Sequence, residues 1–159
     1  MERTTGETES EDYQHIVVAL DGSKLAEGVL PYVRSLARRF DSKITLVQVI
    51  SVLGMPVPDR WQHDLTPVIE ALHEEAIEYL NGVATRLREA GLTVDFEAPE
   101  GEPATVIVRR THDLGANLIA LTSIGRTGIS RVIFGGVADK VLKTAQTPIL
   151  LVRADEQTS

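Results

Sequence analysis

The sequence predicts a doubly wound α/β domain, in which a parallel sheet of five strands is covered by helices on both faces. Short runs of β-branched residues alternate with longer stretches in which apolar residues recur every three or four positions. This alternation is typical of parallel strands joined by crossover helices. The chain has 159 residues, 43% of them hydrophobic, which is the size and composition of one globular domain with a sizeable core.

The first predicted strand runs from His15 to Leu20 and ends at the turn Asp21-Gly22-Ser23, whose serine can cap the next helix. That helix is predicted to continue to Phe40, because its apolar residues recur on one face. Pro31 lies inside this pattern, and proline lacks the N–H that a helix interior needs. We therefore expect a kink at Pro31.

The second predicted strand, Lys43 to Ile50, leads into a proline-rich loop that extends to about Thr66. A long helix follows from about Pro67 to Ala90, with strict three-or-four spacing and a stop at Gly91. The loop carries Trp61 on the side of the sheet where ligands bind in such folds. Trp61 is interpreted either as an anchor that packs the loop or as a lid or partner contact.

The second half of the chain repeats the alternation and ends in a glycine-rich region. It is predicted to contain a third strand from Leu92 to Ala98, a helix from Pro103 to Leu114 with Pro103 in its first turn, and a fourth strand from Asn117 to Thr122. A loop from Ser123 to Arg131 follows. The last helix is predicted to start near Gly135-Gly136 and to end before Thr147, and the final strand to run from Ile149 to Val152.

Composition and absent motifs exclude several classes of function. The chain has no cysteine, which excludes thiol catalysis, iron–sulfur clusters and cysteine-ligated zinc. The P-loop pattern, the G-x-G-x-x-G pattern and the G-x-S-x-G nucleophile elbow are all absent, so common nucleoside triphosphatases, dinucleotide dehydrogenases and serine hydrolases are not indicated. The four histidines show no helical metal-ligand spacing, and we predict no metal bound by protein ligands.

The net charge of −7 is concentrated at the two ends of the chain. We interpret residues 1–13 and 154–159 as disordered acidic segments that flank one nearly neutral domain over residues 14–153. No basic field is present that would hold a nucleic-acid backbone. Apolar runs are too short to span a membrane, and the N-terminus lacks a signal pattern, so we expect a cytoplasmic protein.

The stretch from Thr122 to Gly136 is the most informative for function. Gly125, Gly128, Gly135 and Gly136 flank Arg126 and Arg131 and lead into a helix. Glycines let backbone amides approach an anion, and a helix start presents unpaired N–H groups with partial positive charge. The pattern is therefore consistent with a phosphate cradle, although turn-forming glycines and solubilising arginines would explain it equally well.

Four segments together resemble the universal stress protein family, in the family's order and spacing over about 140 residues. They are VVALDGS ending at Ser23, LIALTSIGRTGISR from Leu118, GGVADKVL from Gly135 and TPILLVR from Thr147. The resemblance implies a five-stranded parallel sheet in the order 3-2-1-4-5. It also implies a homodimer paired through the last strand.

Nucleotide-binding members of that family carry G-x-x-G, nine residues, then Gly followed by Ser or Thr. Here Gly125 matches the second glycine and Gly135 the third, whereas Thr122 replaces the first glycine and Gly136 replaces the hydroxyl residue. Thr122 either crowds the ribose or supplies a compensating hydroxyl. The loss at Gly136 removes one hydrogen bond to phosphate, worth about 1–2 kcal/mol.

The resemblance also implies which residues line the nucleotide. Two of these residues have a second interpretation. Asp21 is alternatively a turn aspartate that accepts hydrogen bonds from nearby backbone amides, and Val49 is alternatively a core residue. The candidate binding residues are Ala19, Leu20, Asp21, Val49, Thr122, Ser123, Gly125, Arg126, Gly128, Gly135, Gly136 and Val137. We predict no catalytic residue.

The leading hypothesis is a stress-response protein that binds ATP, with Mg²⁺ held through the phosphates, and acts as a regulatory dimer toward a protein partner. The alternative is an ATP-independent homodimeric interaction protein of the same fold, which the two motif departures favour. A phosphotransfer receiver is not indicated, because Asp21 stands alone after the first strand. No Glu, Asp or His lies between Thr122 and Val137, so any nucleotide hydrolysis should be very slow.

Overall fold

A computed structural model describes residues 12–125 and 136–155 of the chain. Five parallel strands form one sheet in the order β3-β2-β1-β4-β5, which confirms the predicted fold class and strand order. The strands are β1 His15–Ala19, β2 Lys43–Val47, β3 Thr93–Glu97, β4 Leu118–Gly125 and β5 Ile149–Asp155. The α-helices of the described part are α1 Leu30–Phe40, α2 Thr66–Glu89, α3 Pro103–Asp113 and α4 Gly136–Thr144.

The helices cover both faces of the sheet, so the domain has three layers. Along β4, Leu118 and Ala120 pack with residues of α1 and α2, whereas Ile119 and Leu121 pack with residues of α3 and α4. Successive strand residues point to opposite faces, which explains why this strand is apolar at consecutive positions. No helix in the described ranges is long and apolar enough to cross a membrane.

The first predicted helix is wrong in its start and in its kink. Leu25–Val29 forms a 3₁₀ segment, and α1 begins only at Leu30, with Pro31 in its first turn. The N–H groups of a first turn have no partner inside the helix, so proline costs nothing there and begins a helix instead of bending one. The long helix α2 agrees with its prediction, and Gly91 follows it with φ +87°.

The predicted end of the fourth strand at Thr122 is also wrong. β4 continues through Ser123 and Ile124 to Gly125, and its ladder with β5 extends to the pair Gly125 and Asp155. Serine and glycine suggested a loop, but pairing with a neighbouring strand overrides local preference. Ala154 and Asp155, which were expected in a disordered tail, therefore belong to β5.

Two residues of the expected N-terminal disordered segment are held against the domain. The Tyr13 ring packs edge-on against Phe40 at 5.6 Å between ring centroids. The Asn117 amide Nδ2 donates to the Asp12 carbonyl at 2.7 Å, while its Oδ1 accepts from the His15 N–H at 3.1 Å. The ordered domain thus begins before residue 14.

His15 makes the stability of this fold depend on pH. Its Nε2 lies 2.8 Å from the Thr45 Oγ1, and burial lowers the pKa of His15 from its ordinary value near 6.5. Lys43 lowers this pKa further, while the Leu114 carbonyl and Asp95 oppose the shift. Protonation therefore favours the unfolded chain, and the free energy of unfolding should fall as pH drops below about 6.5.

We expect His15→Gln to flatten this dependence. Urea unfolding between about pH 8 and pH 5 gives the free energy of unfolding of the wild type and the variant at each pH. We expect the difference between the two proteins to shrink as the pH falls. His112→Gln, which changes a side chain that is 92% exposed, is the matched control and should follow the wild type. Parallel curves for wild type and His15→Gln would contradict the assignment.

Candidate functional site

The strand order places a switch point between β1 and β4. The chain leaves β1 for β2 on one side, whereas β4 lies on the other side of β1. Ligands of open parallel sheets bind beyond the carboxyl ends of the strands at such a point. The turn after β1, the end of β2, the end of β4 and the start of α4 meet at this point.

The turn after β1 fixes the predicted residue Asp21. Its Oδ1 accepts hydrogen bonds from the Ser23 N–H at 2.8 Å and the Ser23 hydroxyl at 2.5 Å. Gly22 has φ +84°, a conformation that side chains disfavour. Asp21 is thus a turn aspartate, as one interpretation expects, yet it remains exposed and its second oxygen makes no hydrogen bond with the described residues.

The Thr122 side chain lies against the 3₁₀ segment. Its hydroxyl donates to the Ala26 carbonyl at 2.9 Å. A Cβ placed on Gly28 would lie 3.6 Å from the Thr122 methyl group, an ordinary van der Waals contact. The Thr122 hydroxyl thus donates within the protein, while crowding of a ribose and a compensating hydroxyl both stay predictions.

Two of the predicted binding residues form an apolar surface near the carboxyl edge of the sheet. Ala19 and Val49 are partly buried and pack against the cluster that α3 and α4 share with Ile119 and Leu121. Alternation along β4 gives Ser123, which is 3% exposed, the same face as these two residues. Leu20 is different, because its side chain belongs to the core on the α1 and α2 face.

The start of α4 offers backbone N–H groups and open space. α4 follows β4 and runs back across the sheet, so its N-terminus lies at the carboxyl edge, where its first N–H groups have no partner in the helix. No described atom lies within 4 Å of a Cβ built on Gly136. Val137 is 39% exposed beside it. None of the described residues therefore obstructs a hydroxyl side chain at residue 136.

One polar residue near the site was missed from the sequence. The Oε1 of Gln48 is buried without a hydrogen-bond partner in the described residues, and its Nε2 lies 3.4 Å from a Cβ built on Gly22. Gln48 therefore backs the turn that carries Asp21. The only signal was a glutamine inside the apolar run ITLVQVI, a position at which strands of this type are otherwise hydrophobic.

Part of the predicted cradle is outside the described residues. Arg126, Gly128 and Gly135 are in the undescribed range, and Gly125 is described only as the last residue of β4. The loop with Trp61 contains the short 3₁₀ turn Asp59–Trp61, and the Arg60 guanidinium lies 5.6 Å from the Trp61 ring centroid.

The carboxyl edge also contains a cleft of about 320 Å³ on the β2 and β3 side, lined by residues 50–53 and 100–102 together with Ile69. Glu102 on its rim caps α3 by accepting from two backbone N–H groups. Bonds from Thr105 lower the pKa of Glu102 to about 2, and Lys140 of α4 adds an ion pair at 3.4 Å. No predicted binding residue lines this cleft.

A family model and a curated relative give the same family. The model of the universal stress protein family matches residues 12–153. Universal stress protein MJ0531 of Methanocaldococcus jannaschii is 32% identical over 144 residues, which cover 89% of this chain and 82% of that protein.

Solved structures share the fold. Hypothetical protein MJ0577 has a TM-score of 0.78 at 24% identity, over 92% of this chain and 99% of that chain. A universal stress protein from Archaeoglobus fulgidus in complex with dAMP has a TM-score of 0.63 at 24% identity, over 89% and 98% of the two chains. A universal stress protein in complex with cAMP has a TM-score of 0.61 at 19% identity, over 91% and 99%.

The turn at Gly22 provides a test of this geometry. Gly22→Ala should lower the free energy of unfolding by about 1–2 kcal/mol, because alanine disfavours positive φ and its methyl group would meet Gln48. Gly82→Ala is the matched control: Gly82 lies within α2 with open space around it, so alanine should stabilise the protein by about 0.5–1 kcal/mol. Denaturant unfolding measures both, and equal effects would contradict the left-handed turn.

Proposed function

This chain belongs to the universal stress protein family, and from that premise we propose that it binds an adenine nucleotide, ATP by preference, and acts as a cytoplasmic regulatory homodimer. The observation that carries the proposal is the exposed Asp21 carboxylate, held in a fixed turn at the switch point next to the apolar residues Ala19 and Val49. Two proteins of the same fold, in complex with cAMP and with dAMP, support adenine as the base.

Each part of the proposed site serves a different part of the nucleotide. Ala19 and Val49 provide an apolar surface for the adenine, and the free oxygen of Asp21 accepts from a ribose hydroxyl. The N-terminal N–H groups of α4 bind phosphate oxygens, since a helix N-terminus favours anions. Arg126, Gly128, Gly135 and the end of β4 at Gly125 complete the cradle in this proposal.

We propose that Mg²⁺ is held only through the phosphates of the nucleotide. In the described ranges, no group of three or more histidine, aspartate or glutamate side chains is placed to hold a metal ion. A magnesium ion bound with ATP would neutralise phosphate charge and keep most of its water ligands. No residue between Thr122 and Val137 is a general base, so we propose that ATP is held and at most very slowly hydrolysed.

A second candidate function is favoured by two specific residues. The Thr122 hydroxyl is used inside the protein, and Gly136 has no hydroxyl to offer. A chain in which these changes abolished nucleotide binding would retain the fold and act as an ATP-independent dimer toward protein partners. The two candidates differ in whether nucleotide is bound.

Nucleotide occupancy is therefore the decisive test. Protein purified without added nucleotide is denatured, and released ligands are identified by mass spectrometry; ATP is then titrated by calorimetry with and without Mg²⁺. Stoichiometric nucleotide or micromolar binding that Gly125→Val abolishes supports the proposal. Neither released nucleotide nor heat at millimolar ATP would favour the second candidate.

A substitution at residue 136 is predicted to increase the affinity for ATP. Gly136→Ser restores the hydroxyl that the family motif carries, and no described atom lies within 4 Å of the Cβ that it adds. We expect ATP to bind up to about tenfold more tightly, the scale of one hydrogen bond to a charged acceptor. Gly136→Ala, which adds the Cβ without the hydroxyl, is the matched control and should show no such gain. Equal affinities for the serine and alanine variants would argue against phosphate binding at this helix.

The proposed dimer is tested at the outer edge of β5, which ends the described sheet. The Ile119 N–H donates to the Pro148 carbonyl, so in a parallel ladder the backbone groups of Leu151 point away from β4. Leu151→Pro removes one outward N–H, and Leu151→Ala removes the same side chain but keeps that N–H. We expect sedimentation to show dimers for wild type and Leu151→Ala and monomers for Leu151→Pro. A wild-type monomer at micromolar concentration would overturn the dimer.

A further inference from the structure

A continuous set of hydrogen bonds connects the end of β4 to the Asp21 carboxylate. The Thr122 hydroxyl donates to the Ala26 carbonyl at 2.9 Å, and the Ala26 N–H donates to the Ser23 hydroxyl oxygen at 3.2 Å. Ser23 in turn donates to the Asp21 Oδ1 from its hydroxyl at 2.5 Å and from its N–H at 2.8 Å. We refer to Thr122, Ala26, Ser23 and Asp21 as the relay.

The backbone of Ala26 connects the two ends of the relay. Its N–H is bound by the turn after β1, and its C=O is bound by β4, so both backbone groups are fixed by residues outside the 3₁₀ segment. These two groups belong to the peptide units on either side of the Ala26 Cα, and rotation of either unit would break its hydrogen bond. The orientation of Ser23, and with it that of Asp21, therefore depends on the position of Ala26.

The far side of the same segment is anchored independently. The Glu27 carboxylate accepts from the Tyr79 hydroxyl at 3.3 Å and pairs with Arg86 of α2 at 2.5 Å. Burial and the nearby Glu27 raise the pKa of Tyr79, which keeps its phenol protonated as a donor. Loss of the Thr122 hydroxyl would consequently loosen the turn while α2 still holds the segment, so the fold should survive.

We propose that Thr122 is a positioning residue that orients the Asp21 carboxylate for the ribose through the relay; the ribose part of this inference rests on the proposed function. The threonine stands where the family motif has glycine, and glycine has no hydroxyl with which to hold Ala26. The residue that departs from the motif thus contributes to the site through the relay and without touching the nucleotide.

Two variants of Thr122 separate the role of its hydroxyl from that of its bulk, and a third variant is the control. Thr122→Val keeps the branched shape but cannot donate, whereas Thr122→Ser keeps the donor. Thr111→Val is the matched control, because the Thr111 hydroxyl also donates to a backbone carbonyl, that of Ile107 at 2.7 Å, but lies on α3 outside the relay.

The first readout needs no ligand. Amide hydrogen exchange measured by NMR reports the opening of the Ser23 and Ala26 N–H groups. Thr122→Val should speed exchange at both amides about three- to tenfold, the scale of one lost hydrogen bond. Thr122→Ser and Thr111→Val should leave these two amides at the wild-type rate. Unchanged exchange in Thr122→Val would overturn the relay.

The second readout uses ATP and its 2′-deoxy and 3′-deoxy forms, titrated by calorimetry. The wild type should prefer ATP over at least one deoxy form, and Thr122→Val should bind ATP about three- to tenfold more weakly with this preference reduced. Thr122→Ser should restore both the affinity and the preference. A merely structural threonine would lower the melting temperature without changing the preference, and that result would overturn the positioning role.

The two readouts distinguish the two proposals. A wild-type protein that binds no ATP would overturn the proposed function and the ribose role of Asp21, while the exchange rates would still decide whether Thr122 holds the turn. A wild type that binds ATP together with a Thr122→Val variant that matches it in exchange and in preference would overturn the inference alone.

Discussion

The pairing of β1 with β4 at the centre of the sheet is the interaction on which the site depends. Their ladder sets Ile16, Val17 and Val18 opposite Leu118, Ile119 and Ala120, and it joins the first half of the chain to the second. Both strands are buried on both faces, so a slip of register would place the residues of one core in the other. With this register fixed, the end of β4 lies against the segment that follows β1, and Thr122 reaches the Ala26 carbonyl.

The two faces of the sheet contribute different parts of the candidate site at the carboxyl edge. On the α3 and α4 face, Ala19 and Val49 leave an apolar surface that belongs to the core cluster beneath it. On the α1 and α2 face, Gln48 and the 3₁₀ segment support the turn of Asp21 from below. A ligand on one face would therefore meet groups whose orientation is set by packing on the other, which is how a site built on strands gains precision.

Elements with strong local signals could be predicted from the sequence, and those fixed by tertiary contacts could not. The spacing of Leu72, Leu80 and Leu87 predicts α2 because that helix buries a regular stripe. The extension of β4 to Gly125, for example, depends on its pairing with β5. For the candidate site, sequence indicated Asp21 and Gly136, but the partner of Thr122 and the location of Gln48 required the fold.

The central claim is that the carboxyl edge at β1, β2 and α4 binds the nucleotide, and backbone amide chemical shifts during an ATP titration test it most directly. We expect the shifts to change at Asp21, Gly22 and Ser23, at Val49, and at Gly136 and Val137. Shifts confined to the cleft around Ile50–Leu53 and Glu100–Glu102, or no shifts at millimolar ATP, would contradict the account.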